Sequence, residues 1–196
     1  MKSAIAIFWF RRDLRLHDNA GLFYALKDSN QVLPIFIFDR NILDELEDKT
    51  DRRVEFIQET LQDLQKQLTK LGSTLDVRYG NPVEIFNELI NEFAVQKVFT
   101  NHDYEPYAKE RDAVIENFLK ENGISFHSYK DQVIFEKDEV LKDDGKPYTI
   151  FTPYSKKWKI KLTDFFLECY NNKKYFKNFY KQAEREIISL EEMGFK

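Results

Sequence analysis

Six polar residues crowd a stretch of eight near the start of the chain: Arg11, Arg12, Asp13, Arg15, His17 and Asp18. Before them, Ala4 to Phe10 is apolar and aromatic, the pattern of a strand buried on both faces. After them, Asp18 or Asn19 can cap a helix running to about Lys27. The charged group therefore falls in the first strand-to-helix turn, where a parallel sheet opens its strand ends to ligands. A plain connection needs only a few polar residues. Two readings account for the surplus. Asp13 pairs with neighbouring arginines and ties the loop to a later part of the chain, or the loop lines a site for an anionic or flat polar ligand.

Other chemistries are missing from the sequence. No GxxxxGK[ST] string is present and no GxGxxG follows the first strand, so neither common phosphate cradle is available. The six glycines include none in the first turn. His17, His102 and His127 are scattered and no Cys/His cluster has metal-ligand spacing. No serine stands in a nucleophile elbow. Taken alone, the chain is expected to be non-catalytic.

The elements that position the polar loop follow from periodicity. Val32 to Phe38 reads as a second buried strand with Asp39 at its end. Thr50 or Asp51 caps a helix whose apolar residues, Val54, Ile57, Leu61, Leu64, Leu68 and Leu71, share one face. Gly72 stops it. Leu75 to Tyr79 is a third strand, and Pro82 opens a helix with Val83, Phe86, Leu89, Ile90 and Phe93 on its apolar face. Lys97 to Thr100 is a fourth strand. A helix from about Tyr107 to Asn122 leads through Gly123 to a fifth strand, Ile124 to Tyr129.

This alternation predicts an α/β fold: a doubly wound, five-stranded parallel sheet with right-handed crossovers. With strand order 3-2-1-4-5, a crevice opens between strands 1 and 4 at their carboxyl ends. Arg11 to Asp13, Asp39 and Asn101 to Arg111 would wall it, and Arg53 could reach the rim. Such a slot suits a planar molecule with polar edges. After Asp131 the rhythm is lost. DDGK at 143–146 reads as a turn, Lys156 to Tyr170 as a helix, and the final SLEEMGFK as linker.

Three strings resemble motifs of the DNA photolyase/cryptochrome family: WFRRDLRLHDN at 9–19, NHDYEPYAKERD at 101–112 and FTPYSKKWK at 151–159. The resemblance covers Trp9 to Lys159. It implies a flavodoxin-like or HUP-like antenna domain over residues 1–130, with 131–196 as an extension and interdomain linker. The FAD-binding helical domain of the family is then absent, and the chain is expected to be the N-terminal part of a longer protein. By the same resemblance, Asp39, Arg53, Asp103, Glu105 and Arg111 would hold a deazaflavin or FMN antenna. Folate is disfavoured, because folate-binding members tend to have Asn-Glu where this chain has Tyr107-Ala108. Arg11, Arg12, Asp13 and Trp158 would order the domain and face the FAD domain. The parent would repair pyrimidine dimers in damaged DNA under blue light. The alternatives are a signalling cryptochrome without repair activity and a nucleotide-binding domain of the universal-stress or PP-loop kind.

Composition agrees with one sizeable core: 196 residues, 42% hydrophobic, with eighteen Phe and ten Tyr. Cys169 is the single cysteine, so no internal disulfide can form. The opening apolar run is too short for a signal peptide and nothing approaches a membrane span, so a cytoplasmic protein is expected. Net charge is −4. Residues 153–182 hold eight lysines against Asp164 and Glu168, which leaves the rest of the chain acidic. The lysine run is either a solvated helical face or a track for a phosphate backbone. The acidic body argues against this domain as the principal DNA-binding surface.

Overall fold

The computed structural model describes residues 4–196. Strands β1 (Ala4–Phe10), β2 (Val32–Asp39), β3 (Asp76–Gly80), β4 (Ala94–Asn101) and β5 (Ser125–Tyr129) form one parallel sheet in the order β3-β2-β1-β4-β5. This is the expected doubly wound topology.

Alternation along the strands builds two cores. Ala6, Phe8, Phe10, Phe36, Phe38 and Phe99 face one side. There they meet α1 (Ala20–Asp28) and the Val54, Leu61, Leu64 and Leu68 stripe of α3 (Arg52–Lys70). Ile5, Ile7, Trp9, Leu33, Ile35 and Ile37 face the other side, against α4 (Pro82–Glu92) and α5 (Pro106–Glu121). Both faces of the central strands are thus covered by helices, and both must be apolar. A single turn, α2 (Arg40–Leu43), follows β2 and is capped by Asp39.

Local chemistry sets the helix ends. Asn19 caps α1 by accepting from the Leu22 amide, Asp51 caps α3 through the Arg53 amide, and Asn81 caps α4 ahead of Pro82. Gly72 and Gly123, both at φ +72°, turn the chain after α3 and α5. Gly21 has a different duty. Its amide donates to Asn101 Oδ1 at 2.7 Å, and a Cβ there would stand 2.9 Å from the Thr100 carbonyl oxygen. Only a glycine lets α1 approach β4 so closely.

Two expectations beyond Asp131 are corrected. The helix placed at Lys156–Tyr170 is α6, Phe151–Lys161, and a 3₁₀ turn follows at Asp164–Leu167. Pro153 falls in the first turn, where its missing N–H costs nothing, so the helix can start earlier. The closing SLEEMGFK is not a free linker. Met193 and Phe195 are buried in the α1/α3 core, and the Lys196 amide donates to the Lys49 carbonyl at 2.8 Å. Phe179 is buried there as well and bridges to Val32. The segment straps the body because apolar side chains spaced along a polar run still find the open side of α3.

Candidate functional site

The strand order leaves β1 as the central strand, and the loops after β1, β2 and β4 converge beyond its carboxyl end. Asp39, at the end of β2, is buried. Its Oδ1 accepts from the Asn41 amide at 3.1 Å and its Oδ2 from the Tyr107 hydroxyl at 2.6 Å. Arg111, one turn further along α5, places Nη1 3.7 Å from the same Oδ2. Tyr107 is held in its neutral form: burial and the bond to Asp39 push its phenol up to about 12.

Beneath this group lies Trp9. The Arg111 guanidinium carbon is 4.7 Å from the centre of the Trp9 ring and that of Arg11 is 5.1 Å, so two cations rest against one indole. Trp9 Nε1 is buried and has no hydrogen-bond acceptor among the described residues. Arg11 and Arg111 share Asp112, Arg11 through Nη1 at 2.7 Å to each carboxylate oxygen and Arg111 through Nη2 at 3.2 Å to Oδ1. Arg11 also donates to the Asn101 carbonyl.

Asp13 does not pair with arginine side chains. Its Oδ1 accepts from the Arg11 amide at 2.8 Å, and its Oδ2 accepts from the side-chain amides of Asn101 at 2.5 Å and Asn19 at 3.2 Å. Buried carboxylates take whichever donors lie within reach, and here those are amides from β4 and the α1 cap. Asp13 nevertheless ties the first loop to a later part of the chain. Arg11 and Asp13 are thus internal braces, whereas the Arg12 side chain is more than half exposed.

Arg12 joins the remaining carboxylates. Its Nε lies 3.3 Å from Asp103 Oδ2 and its Nη2 lies 3.8 Å from Glu105 Oε1. The Asp103 side chain is only 8% exposed, while Glu105 opens α5 without a side-chain cap bond. Arg53 stands apart from the others: its side chain is 76% exposed and doubly bonded to its own cap, Asp51. Trp158 is half-buried, edge-on to Phe135 at 5.5 Å. Sequence reasoning passed over Tyr107 and Asp112 as site residues, although both lie inside the 101–112 string.

A family model for DNA photolyase matches residues 6–174. The chain belongs to the DNA photolyase family.

Photolyases and cryptochromes both occur among its relatives. It is 36% identical to the deoxyribodipyrimidine photo-lyase of Synechococcus over 156 residues, covering 80% of this chain and 32% of that one. Cryptochrome-1 of Gallus gallus is 31% identical over 140 residues, 71% of this chain and 22% of that protein. Among solved structures, a photolyase from Sulfolobus tokodaii, described with two FAD molecules and a novel light-harvesting cofactor, matches with a TM-score of 0.71 at 33% identity. That match covers 81% of this chain and 36% of the Sulfolobus chain. The chain thus spans about a third of these two photolyases.

Within this photolyase-type domain, the strand-end groups could take a flat ring system with polar edges. Asp103 and Glu105 offer acceptors, Arg12 and Arg111 offer donors, and the Trp9 indole N–H lacks an acceptor. Among the described residues, no group of His, Cys, Asp or Glu could hold a metal ion. Among those residues, no helix is long and apolar enough to cross a membrane.

Proposed function

We propose that this photolyase-type domain is the light-harvesting unit of a protein that repairs pyrimidine dimers in DNA under blue light. The observation that carries the reading is the meeting of Asp39, Tyr107 and Arg111 over Trp9, beside the Arg12, Asp103 and Glu105 group. Residues from three loops converge on the rim where the fold opens, with carboxylates and guanidinium groups at the edge and an indole below.

A deazaflavin- or flavin-type chromophore held there supplies blue-light absorption, whose energy drives FAD-dependent dimer splitting in the parent protein. In this proposal Asp103 and Glu105 accept from ring and ribityl donors, and Arg111 donates to ring carbonyls. Asp39 sets the place of Arg111 and Tyr107. Arg53, free apart from Asp51, swings onto the rim when the slot is filled. Phe151, Ile160 and Trp158 of α6 then face the FAD-binding domain, a role supported by the 80% exposure of Ile160 and the open Phe151.

The test is to titrate the chain separately with deazaflavin, FMN and a methenyl-folate, reading chromophore absorption and fluorescence. Deazaflavin or FMN should bind, and Asp103→Ala should weaken that binding by about one to two decades by leaving a ring donor unpaired. Binding of folate alone, or deazaflavin binding indifferent to Asp103→Ala, would overturn the assignment.

A further inference from the structure

The run from Asn171 to Gln182 holds four lysines, four aromatic residues and no carboxylate, in a chain whose net charge is −4. Its centre is a 3₁₀ segment, Asn172–Asn178, laid along α1. Asn172 Nδ2 donates to the Asn19 carbonyl at 2.9 Å where α1 begins, and Asn178 Nδ2 donates to the Leu26 carbonyl at 2.8 Å near its end. With both ends fixed, the segment presents its side chains in a set order. A 3₁₀ helix repeats every three residues, each rising about 2 Å. Asn172, Tyr175 and Asn178 therefore share the side toward α1, where Tyr175 lies 5.5 Å from Phe23 between ring centres. Lys174 and Lys177 stand in line on an open edge, their Cα atoms about 6 Å apart, and Lys173 leads the next edge.

These three lysines are exposed, and among the described residues none of them meets a carboxylate. Lys157 and Lys130 differ in this respect, being paired with Asp143 and Glu139. A row of like charges without counter-charges repels itself and is relieved by an anionic partner. Rings lie beside the row. Lys174 Nζ is 5.4 Å from the Tyr175 ring centre, and Lys174, Phe165 and Tyr170 line one open recess. Phe165 is 76% exposed and Tyr170 36%. Tyr170 is fixed in place: its amide donates to Asp18 Oδ1 at 2.9 Å and its ring tilts against Phe23 at 5.3 Å. Asp18 is engaged by that amide and Asp131 by Arg15, which among the described carboxylates of the recess leaves Glu168 to oppose an anion.

Unpaired cations beside exposed rings suit a single-stranded nucleic acid, whose phosphates follow the charges while its bases stack on the rings. A duplex keeps its bases inside, and an acidic peptide brings no bases to stack. Either would leave Phe165 and Tyr170 unused.

We propose that the Lys173, Lys174 and Lys177 row, with the Phe165 and Tyr170 rings, binds single-stranded DNA through about three phosphates and one or two stacked bases. DNA is chosen over RNA because the function proposed above acts on DNA. The surface itself shares no residue with the strand-end group and needs neither chromophore nor light, so its test is separate from that of the antenna.

The probe is a dye-labelled thymidine octamer, followed by fluorescence anisotropy as the chain is added. At about 50 mM salt the Kd should fall within about 1–100 μM, and log K should decline against log salt with a slope of about −2, at roughly 0.7 for each of three phosphates. The double variant Lys174→Ala/Lys177→Ala should bring the slope to about −0.7 and weaken binding about tenfold. Phe165→Ala should weaken binding about fivefold or more and leave the slope unchanged, since stacking releases no counterions. Lys120→Ala, at an exposed position on α5 across the sheet, should alter neither. A Kd above about 1 mM overturns the proposal, as does a slope that the double lysine variant leaves unchanged. So does an abasic octamer or a polyglutamate of equal charge that binds as tightly as the thymidine octamer. Tighter binding of a duplex or of a uridine octamer would refute the choice of single-stranded DNA.

Discussion

Asp112 serves two guanidinium groups at once. Arg11, nearly buried, is drawn toward its neutral form by desolvation, and the bidentate contact with Asp112 opposes that pull. Removing the carboxylate strands a buried cation, so Asp112→Ala should destabilise the domain by about 3–5 kcal/mol in urea unfolding. Tyr107 offers a reading of the same rim by pH. Its phenol, raised from 10.0 to about 12, is held neutral by burial and by Asp39. The folded state binds that proton more tightly than the unfolded chain. The contribution is therefore whole below pH 10 and lost as pH rises through about 12. Ultraviolet titration of the tyrosines should show Tyr107 among the late-ionising phenols, with Tyr104, Tyr129 and Tyr170 also raised by burial, and Asp39→Asn should bring one of that group back toward its ordinary value.

Gly21 is an element-scale constraint. In an open helix, Gly→Ala stabilises by about 1 kcal/mol. Here a methyl group would press on the Thr100 carbonyl and Asn101 Oδ1, so Gly21→Ala should destabilise by about 1–3 kcal/mol as α1 is pushed off β4. Thermal unfolding measures the sign directly. The loop after β5 is fastened by another contact, in which Glu136 accepts from the Tyr104 hydroxyl at 2.7 Å and lies 2.9 Å from His102 Nδ1. Burial alone would raise Glu136, but the contacts with His102 and Tyr104 outweigh it and hold the carboxyl below 4.5. That fastening is present above pH 4.5 and is lost as pH falls through the lowered value. Residues 131–139 should then show rising amide exchange in acid, and Glu136→Gln should give the same loosening at neutral pH.

At the scale of the molecule, the last eighteen residues complete the core. Phe179, Met193 and Phe195 lie in the same cluster as Phe8 and Leu64. Arg185 clamps the segment to the body, with Nη1 2.9 Å from Asp76 Oδ2 and Nη2 2.6 Å from Glu92 Oε1. Ending the chain at Asn178 removes three buried side chains, worth together about 5 kcal/mol or more of apolar burial. Domain stabilities are commonly about 5–15 kcal/mol. The shortened chain should therefore show a sharply lower urea midpoint or lose its cooperative transition. An unchanged midpoint would mean that the strap is decoration.

The sequence alone determined the elements that repeat with a period. Apolar strands, the Val54-to-Leu68 stripe, Pro82 and the two stop glycines are local signals, each legible within a few residues. The caps narrow to Asp18 or Asn19 and to Thr50 or Asp51, between which the structure selects Asn19 and Asp51. The strings at 9–19, 101–112 and 151–159 also carried the family. Pairing was beyond its reach. Asp13 could have met any of three nearby arginines, yet the register between β1 and β4 brings the Asn101 amide to it and leaves Arg11 to Asp112. Arg53 could have reached the rim, but its own cap lies two residues away and is the nearer acceptor. Met193 and Phe195 sit in a polar tail whose pattern has no period to read. Such choices rest on which groups the packed sheet brings within about 3 Å, a quantity that exists only once the chain has folded.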